Sequence, residues 1–308
     1  PFLMAILKFK DLRFKQEKDF VRVFFLNIFY FDVQNKKLEK ISAYSVNKNE
    51  IEFKNAEQHK AEHDFYKILD QGLENLTNNI SNNPAKYIHK GSGIPLIGSN
   101  SFGLVDRNTN LIEIKPITSC NLNCIFCSVD EGKDTKKTSD VVVEKTYLIE
   151  EFKKLAKNKD TKGKPLYACI NVHGEPFLYN PLTELIKELK QIENVNASII
   201  TNGTLITEDD IDRLKEAGLD RINISLNAFS DENTKKLAGT YYNLEKVKGI
   251  IEYAVQKLEV VVAPLYLKGL NDEDMPEIIR FCTSLRRKYN TKFPLIGMQN
   301  FLSYKRGR

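Results

Sequence analysis

The sequence has 308 residues, 42% of them hydrophobic, and its 46 basic and 41 acidic side chains give a formal charge of +5. Such a composition is typical of a soluble globular protein that can bury a sizeable core without disulfide staples. The positive excess is mild compared with that of a dedicated nucleic-acid binder. It is compatible both with a solvated lysine-rich surface and with binding of a polyanionic partner.

The sequence also indicates where the protein works. Its longest apolar run, Val23–Val33, is shorter than the ~20 residues of a membrane helix, which predicts no membrane association. The N-terminus shows no signal-peptide pattern. The five cysteines are an odd number, which argues against a secreted disulfide framework. We therefore expect a cytoplasmic protein.

The first 95 residues predict a small α+β domain. Phe20–Val33 and Leu38–Val46 have the composition of strands, and "QNKK" between them predicts a turn that pairs them. Asn55 is a candidate cap for a helix that runs to about Asn78. The Gly-, Ser- and Asn-rich stretch that follows predicts a linker at residues 96–110.

From residue 111 to residue 308, short β-branched runs alternate with longer amphipathic patterns. Alternation of this kind predicts a parallel sheet with helical crossovers. Six strands are too few for a closed eight-stranded barrel, so the fold class predicted is α/β, a partial (βα)6 barrel preceded by the small α+β domain. The predicted strands are 111–117, 166–172, 196–201, 221–226, 258–267 and 293–299. The predicted helices are 142–158, 181–192, 207–218, 243–256 and 275–289.

Three of the five cysteines lie within eight positions. Cys120, Cys124 and Cys127 follow the first barrel strand, at the end of the sheet where such folds carry their chemistry. A structural zinc site uses four ligands, usually as two CxxC pairs. Three thiolates on one short loop suit a [4Fe–4S] cluster with one iron left open for a ligand. The remaining cysteines, Cys169 and Cys282, are interpreted as core residues.

The CxxxCxxC segment, with the aromatic Phe126 before its last cysteine, resembles the signature of the radical S-adenosylmethionine (SAM) superfamily. The resemblance spans about residues 111–299. The sequence as a whole is similar to uncharacterised archaeal Fe–S oxidoreductases of that superfamily. Its strand-end motifs are similar to those of the molybdenum-cofactor GTP cyclase group. It implies an enzyme whose cofactors are a [4Fe–4S] cluster, held by the three cysteines, and SAM.

Other motifs at strand ends carry the resemblance further. "HGEP" at 173–176 matches a Gly-Gly-Glu-Pro motif, in which Gly174 and Glu175 are implied to hold the amino group of SAM. "TNGT" at 201–204 ends the third strand and adds Thr201 and Asn202 as implied SAM contacts. "SLNA" at 225–228 ends the fourth, and its Ser225 and Asn227 are implied to face the ribose and methionyl parts.

The resemblance implies a reaction but names no substrate. One electron from an external reductant of the ferredoxin or flavodoxin type would cleave SAM to methionine and a 5′-deoxyadenosyl radical, which abstracts hydrogen from a substrate. The N-terminal domain, the mild basicity and the basic tail Lys305–Arg308 favour an RNA, most simply a tRNA. A peptide or protein and a small metabolite are the alternatives, and a non-catalytic zinc or Fe–S module is a further one. Relatives commonly continue into a C-terminal domain, so we also expect an extension beyond Arg308.

Overall fold

The computed structural model describes residues 3–303. The chain divides into two compact units, residues 1–88 with 137–142 and residues 89–136 with 143–308. We call them the N-terminal unit and the barrel unit. None of the helices in the described range is long and apolar enough to cross a membrane.

Within residues 3–303, the N-terminal unit contains nine strands and two helices. The strands are β1 (Met4–Lys8), β2 (Leu12–Gln16), β3 (Phe20–Phe25), β4 (Phe29–Gln34), β5 (Tyr44–Asn47), β6 (Glu50–Lys54), β7 (Leu76–Asn78), β8 (Pro84–Ile88) and, after three strands of the barrel unit, β12 (Asp140–Val143). The helices are α1 (Asn35–Glu39) and α2 (Gln58–Leu73). One sheet has the order β1-β6-β5 and the other the order β12-β8-β7-β4-β3-β2.

The core of this unit forms around the apolar side of α2. The Phe65 ring lies 5.7 Å from that of Phe9, 6.1 Å from that of Phe14 and 5.9 Å from that of Phe53, measured between centroids. Along β3 and β4, alternate side chains are buried, as expected for a sheet with one covered face.

Both strand predictions in this unit are wrong. Leu38–Val46 begins inside α1, and only its end belongs to a strand, β5, which pairs with β6 in the three-stranded sheet. Phe20–Val33 is not a single strand, because the chain turns at Leu26 and Asn27 and folds β3 against β4. Both residues have positive φ, 50° and 68°, the conformation of a tight hairpin turn. Leucine seldom adopts it, so the sequence gives little sign of this turn. The expected turn at "QNKK" is instead the transition into α1.

The barrel unit contains one seven-stranded sheet with the order β19-β17-β16-β15-β13-β10-β9. Its strands are β9 (Gly103–Asp106), β10 (Leu111–Lys115), β13 (Leu166–Ile170), β15 (Val195–Thr201), β16 (Arg221–Ile224), β17 (Glu259–Val262) and β19 (Leu295–Ile296). Two short parallel pairs continue beyond its strand ends: β11 (Thr118–Ser119) with β14 (His173–Gly174), and β18 (Leu265–Tyr266) with β20 (Gln299–Asn300).

Helices connect the strands of this sheet. They are α3 (Lys145–Asn158), α4 (Leu182–Leu189), α5 (Glu208–Glu216), α6 (Asp231–Ala238), α7 (Leu244–Ala254) and α8 (Asp274–Lys288). Six strands run parallel, from β10 to β19, while β9 is antiparallel to β10. The predicted partial (βα)6 barrel is confirmed, with each of its six predicted strands and five predicted helices in place.

Two details differ from the sequence analysis. Residues 96–110, predicted as a linker, contain β9, whose Gly103 (φ 81°) brings the chain so close to Leu96 that a Cβ would lie 2.2 Å from the Leu96 carbonyl oxygen. Helix α6 is additional; the Ser230 hydroxyl caps its first turn by accepting from Asn233 N–H, and Gly239 ends it in the left-handed conformation.

Candidate active site

The three clustered cysteines lie on one loop and face one cavity. Cys120, Cys124 and Cys127 are partly exposed free thiols on the loop that follows β11. They line a cavity of about 330 Å³ within the barrel unit. The carboxyl ends of β15, β16 and β17 contribute other parts of its wall, as expected for a site in a parallel α/β fold.

The end of α6 holds this loop from one side. The backbone N–H of Asn123 donates to the carbonyl of Ala238 at 2.9 Å, and that of Ile125 donates to the carbonyl of Leu237 at 3.1 Å. These carbonyls belong to the last turn of the helix, where carbonyls have no partner inside the helix. At Gly239 a Cβ would lie 2.1 Å from the Asn123 carbonyl oxygen, so glycine is required for this close approach.

A second close approach supports the loop from the other side. Gly132 (φ 114°) leaves so little room that a Cβ would lie 2.2 Å from the Leu122 carbonyl oxygen. The Asn123 amide donates to Asp134 Oδ2 at 2.7 Å and accepts from the Asp134 N–H at 3.1 Å. Backbone and side-chain contacts together therefore fix the path of the cysteine loop.

The sulfur atoms already receive hydrogen bonds from the loop. Leu122 N–H donates to Cys120 Sγ at 3.4 Å, and Glu131 N–H donates to Cys127 Sγ at 3.3 Å. Burial, together with the negative charge of Glu175, raises the pKa of the Cys120 thiol. A bound metal would favour the thiolate instead, since metal binding displaces the proton.

The donor set fits an iron–sulfur cluster. Three thiols on one loop match the sulfur preference of Fe–S centres. In residues 3–303, no three Cys, His, Asp or Glu side chains are placed to bind a single metal ion. A cluster needs no such grouping, because each thiolate binds an iron atom of its own.

Glu175 is a fully buried carboxyl group beside this cavity. It accepts hydrogen bonds from Thr201 Oγ1 at 2.6 Å, from Asn202 N–H at 2.8 Å and from Phe177 N–H at 3.2 Å. Burial outweighs these three donors and raises the pKa of Glu175 to about 7. A carboxylate in this position is suited to bind a cationic group, because a nearby positive charge would restore its ionised form.

The "HGEP" segment is joined directly to the cysteine loop. His173 and Gly174 pair in register with Thr118 and Ser119 through β14 and β11. Gly174 has φ 133°, and a Cβ there would lie 1.8 Å from the Ser119 carbonyl oxygen. Glycine at this position therefore lets the segment that carries Glu175 pass directly against the cysteine loop.

The other predicted cofactor contacts divide into two groups. Ser225 and Asn227 line the cavity with Phe126, but the Asn227 Oδ1 accepts from Leu265 N–H at 2.8 Å, which joins the ends of β16 and β18. The Phe126 ring packs against Ala228, Leu237 and Leu267, with Leu265 beside it. Thr201 and Asn202 also line the cavity, with the hydroxyl of Thr201 directed at Glu175.

Sequence reasoning missed several residues of the cavity wall, and Tyr242 and Asn223 are the two with polar groups of note. The Tyr242 hydroxyl donates to the Ser225 carbonyl at 3.4 Å, and burial, with Cys124 and Glu175 nearby, raises the pKa of this phenol. Asn223 lies within β16, and its Oδ1 is buried without a hydrogen-bond partner among residues 3–303. A polar residue between two isoleucines, Ile222 and Ile224, was the available signal for Asn223. Tyr242 follows the helix that was also missed.

Three thiols on one loop, a buried carboxylate beside them and a partial barrel define an α/β protein with a candidate site for a sulfur-ligated metal cluster. The chain belongs to the radical SAM superfamily, whose family model matches residues 114–282. Enzymes of this family use a [4Fe–4S] cluster and SAM, so the predicted class and cofactors are confirmed.

Several known proteins are similar to this chain. An uncharacterised protein of Methanocaldococcus jannaschii is 38% identical over 271 residues, which cover 82% of this chain and 62% of that protein. A probable GTP 3′,8-cyclase of Methanococcus aeolicus is 33% identical over 179 residues, 55% of this chain and 56% of the cyclase. The chain thus spans less than two thirds of each relative.

A solved structure is similar in fold over nearly the whole chain. Streptococcus suis SuiB, bound to the precursor peptide SuiA, aligns with 97% of this chain and 63% of its own, with a TM-score of 0.51 and 14% identity. At that identity the likeness shows the fold alone.

Proposed function

We propose that this protein cleaves SAM reductively at a [4Fe–4S] cluster held by Cys120, Cys124 and Cys127. The observation that carries the proposal is the cavity that these three thiols share with the strand ends, beside the buried Glu175. With SAM bound, such a cluster supplies the electron that breaks the sulfur–carbon bond and releases methionine and a 5′-deoxyadenosyl radical.

The protein's own residues bind and orient SAM in this proposal. Glu175 accepts the ammonium group, and the glycine before it lets this segment pass directly against Ser119 of the cysteine loop. The Thr201 hydroxyl and the Asn202 backbone N–H fix the carboxylate of Glu175. Ser225 and Asn227 lie on the part of the cavity wall assigned to the ribose and methionyl parts of SAM. Radical SAM enzymes generally need an external reductant, and we propose a small ferredoxin or flavodoxin as the electron donor here.

Anaerobic reconstitution tests the proposal directly. With iron and sulfide, the full chain should take up four irons per protein at the cysteine loop, and with dithionite and SAM it should form equal amounts of 5′-deoxyadenosine and methionine. Both products are measured by chromatography. Stoichiometric zinc in place of iron, with no SAM cleavage, would instead support a non-catalytic metal module.

For the substrate we propose an RNA, supported by the outer face of the six-stranded sheet in the N-terminal unit. Arg13, Phe24 and Tyr30 lie directly opposite one another on β2, β3 and β4. The two rings are 6.3 Å apart between centroids. Since alternate residues on these strands are buried on the other face, this row points outward.

A second row of side chains adds charge to the same face. Lys15, Arg22 and Asp32 are cross-strand neighbours there. The Arg22 guanidinium lies 4.2 Å from the Tyr30 ring centroid and donates two hydrogen bonds of 2.8 Å to Asp32. Surfaces that bind single-stranded RNA combine aromatic and cationic side chains in this way. Bases stack on the rings and guanidinium planes, and the cations neutralise phosphates.

Tyr30→Ala is expected to weaken RNA binding without affecting SAM cleavage. Base stacking contributes ~1–3 kcal/mol, so the dissociation constant for total tRNA should rise roughly 5- to 150-fold. Affinity of the wild type should also fall log-linearly with salt. The measurement is fluorescence anisotropy of labelled tRNA with the anaerobic full-length protein across a salt series.

Tyr66→Ala is the matched control, since Tyr66 is a half-exposed tyrosine of the same unit on α2. Binding that ignores both salt and Tyr30, or no binding at all, would contradict the RNA proposal. A peptide or protein would then be the first alternative, followed by a small metabolite. The basic tail Lys305–Arg308, a second predicted RNA contact, lies outside the described residues.

A further inference from the structure

Asn202 was predicted as a SAM contact, but both ends of its side chain are engaged by the protein. Its Oδ1 accepts from Thr204 N–H at 2.9 Å and from Thr204 Oγ1 at 2.6 Å. Its Nδ2 donates to Asn121 Oδ1 at 3.0 Å and points at Cys120 Sγ from 3.9 Å. The amide therefore bridges the turn after β15 and the cysteine loop.

The orientation of this amide follows from its partners. A backbone N–H can only donate, so the Asn202 atom that faces Thr204 N–H must be the oxygen. The amino group then necessarily faces the cysteine loop. Asn121 reinforces the arrangement, because its own Nδ2 donates to Thr204 Oγ1 at 2.9 Å. The three polar side chains form a closed ring in which none can rotate without losing a hydrogen bond.

The same residue also reaches the carboxylate assigned to SAM. The backbone N–H of Asn202 donates to Glu175 Oε2 at 2.8 Å. Asn202 thus connects Glu175 with Cys120, one through the main chain and the other through the side chain.

We infer that Asn202 is a positioning residue that makes the cluster easier to reduce, by aiming an amide N–H at the Cys120 sulfur. The inference rests on the proposed function. Reduction adds negative charge to the cluster and its sulfur ligands, and a hydrogen-bond donor directed at a sulfur stabilises that charge. The two backbone donors to sulfur, from Leu122 and Glu131, cannot be removed by a side-chain substitution, whereas this side-chain donor can.

Two variants separate the donor from the turn. Asn202→Asp has nearly the same shape and keeps the oxygen that Thr204 needs, but replaces the donor to Cys120 with an acceptor. Asn202→Ala removes the donor without adding charge. With iron content equal to that of the wild type, both should show a more negative midpoint potential in redox titrations of the reconstituted full chain without SAM, followed by electron paramagnetic resonance. The shift should be larger for Asn202→Asp.

Asn223→Asp is the charge control, because Asn223 lines the same cavity and makes no hydrogen bond to a cysteine sulfur among those described. A smaller shift in this variant than in Asn202→Asp supports the inference. Wild-type potentials in both Asn202 variants would overturn it and leave Asn202 as a structural part of the turn. If Asn202→Ala fails to fold, Asn202→Asp alone decides. A wild type that forms no [4Fe–4S] cluster would overturn the proposed function itself, which is a distinguishable result.

Discussion

Cys124→Ala is expected to abolish both the iron–sulfur cluster and SAM cleavage. Two remaining thiolates cannot hold the cluster in the form that leaves one iron open to SAM. The measurement is iron and sulfide content after anaerobic reconstitution, followed by quantification of 5′-deoxyadenosine. Alanine substitution of Cys120 or of Cys127 should cause the same loss.

Cys169→Ala and Cys282→Ala are the matched controls. Both side chains are buried in the core, one in β13 and the other in α8. Each substitution should retain cluster and activity and reduce the free energy of unfolding by about 1 kcal/mol, a typical value for a point mutation. Full iron content and cleavage in Cys124→Ala would refute the ligand assignment.

Glu175→Ala is expected to leave the cluster intact and to weaken SAM binding. Loss of a charge-assisted hydrogen bond of about 1.5–3 kcal/mol corresponds to a roughly 10- to 150-fold higher dissociation constant. Equilibrium dialysis with labelled SAM on the reconstituted protein gives this value. Glu175→Gln, which keeps the shape and the acceptor but not the charge, should weaken binding as well. Unchanged affinity in both variants would make "HGEP" a structural turn only.

The pH dependence of the same group provides an independent measurement. Since burial raises the pKa of Glu175 to about 7, SAM affinity should fall as the pH drops below 7 and the carboxylate becomes neutral. The sign is opposite for the stability of the protein without SAM. The folded state favours the protonated form of Glu175. The contribution of this group to the free energy of unfolding is therefore complete below its pKa in the unfolded chain, and it is lost as the pH rises through 7. Ionisation of Glu175 should therefore lower the free energy of unfolding by about 3 kcal/mol. Denaturant titrations at pH 5 and pH 8 measure this pH dependence, which should be absent in Glu175→Gln.

The barrel was predictable because its signals are local and repeated. Each of its strands is a short apolar run next to an amphipathic helix, and the spacing of three cysteines within one loop is visible without any structure. Thr207 shows how local such signals are: it caps α5 through a capping box with Asp210, as its position before three acidic residues suggests.

The missed features depend on contacts between distant segments. Leu26 adopts a positive φ because the hairpin of β3 and β4 pairs around it, and no residue-level preference favours that. The motif predicted Asn202 as a SAM contact, which stays a prediction, but gave no sign that its amide also donates to Asn121, 81 positions earlier in the chain. Motifs indicate which loops meet, whereas the hydrogen-bond partner of each polar atom is known only from the structure.

The placement of β12 has a consequence for how the chain can be divided and how it folds. Residues 137–142 belong to the N-terminal unit although they follow the cysteine loop in sequence. The buried Asp140 accepts hydrogen bonds there from Asn78 Nδ2 at 2.8 Å and from Ser81 Oγ at 2.6 Å. During synthesis, the first 88 residues leave the ribosome without their last strand, and that strand arrives only after the cysteine loop has been made. The N-terminal unit therefore completes its sheet late, and a fragment that ends at residue 88 would lack both the strand and the carboxylate that Asn78 and Ser81 bind.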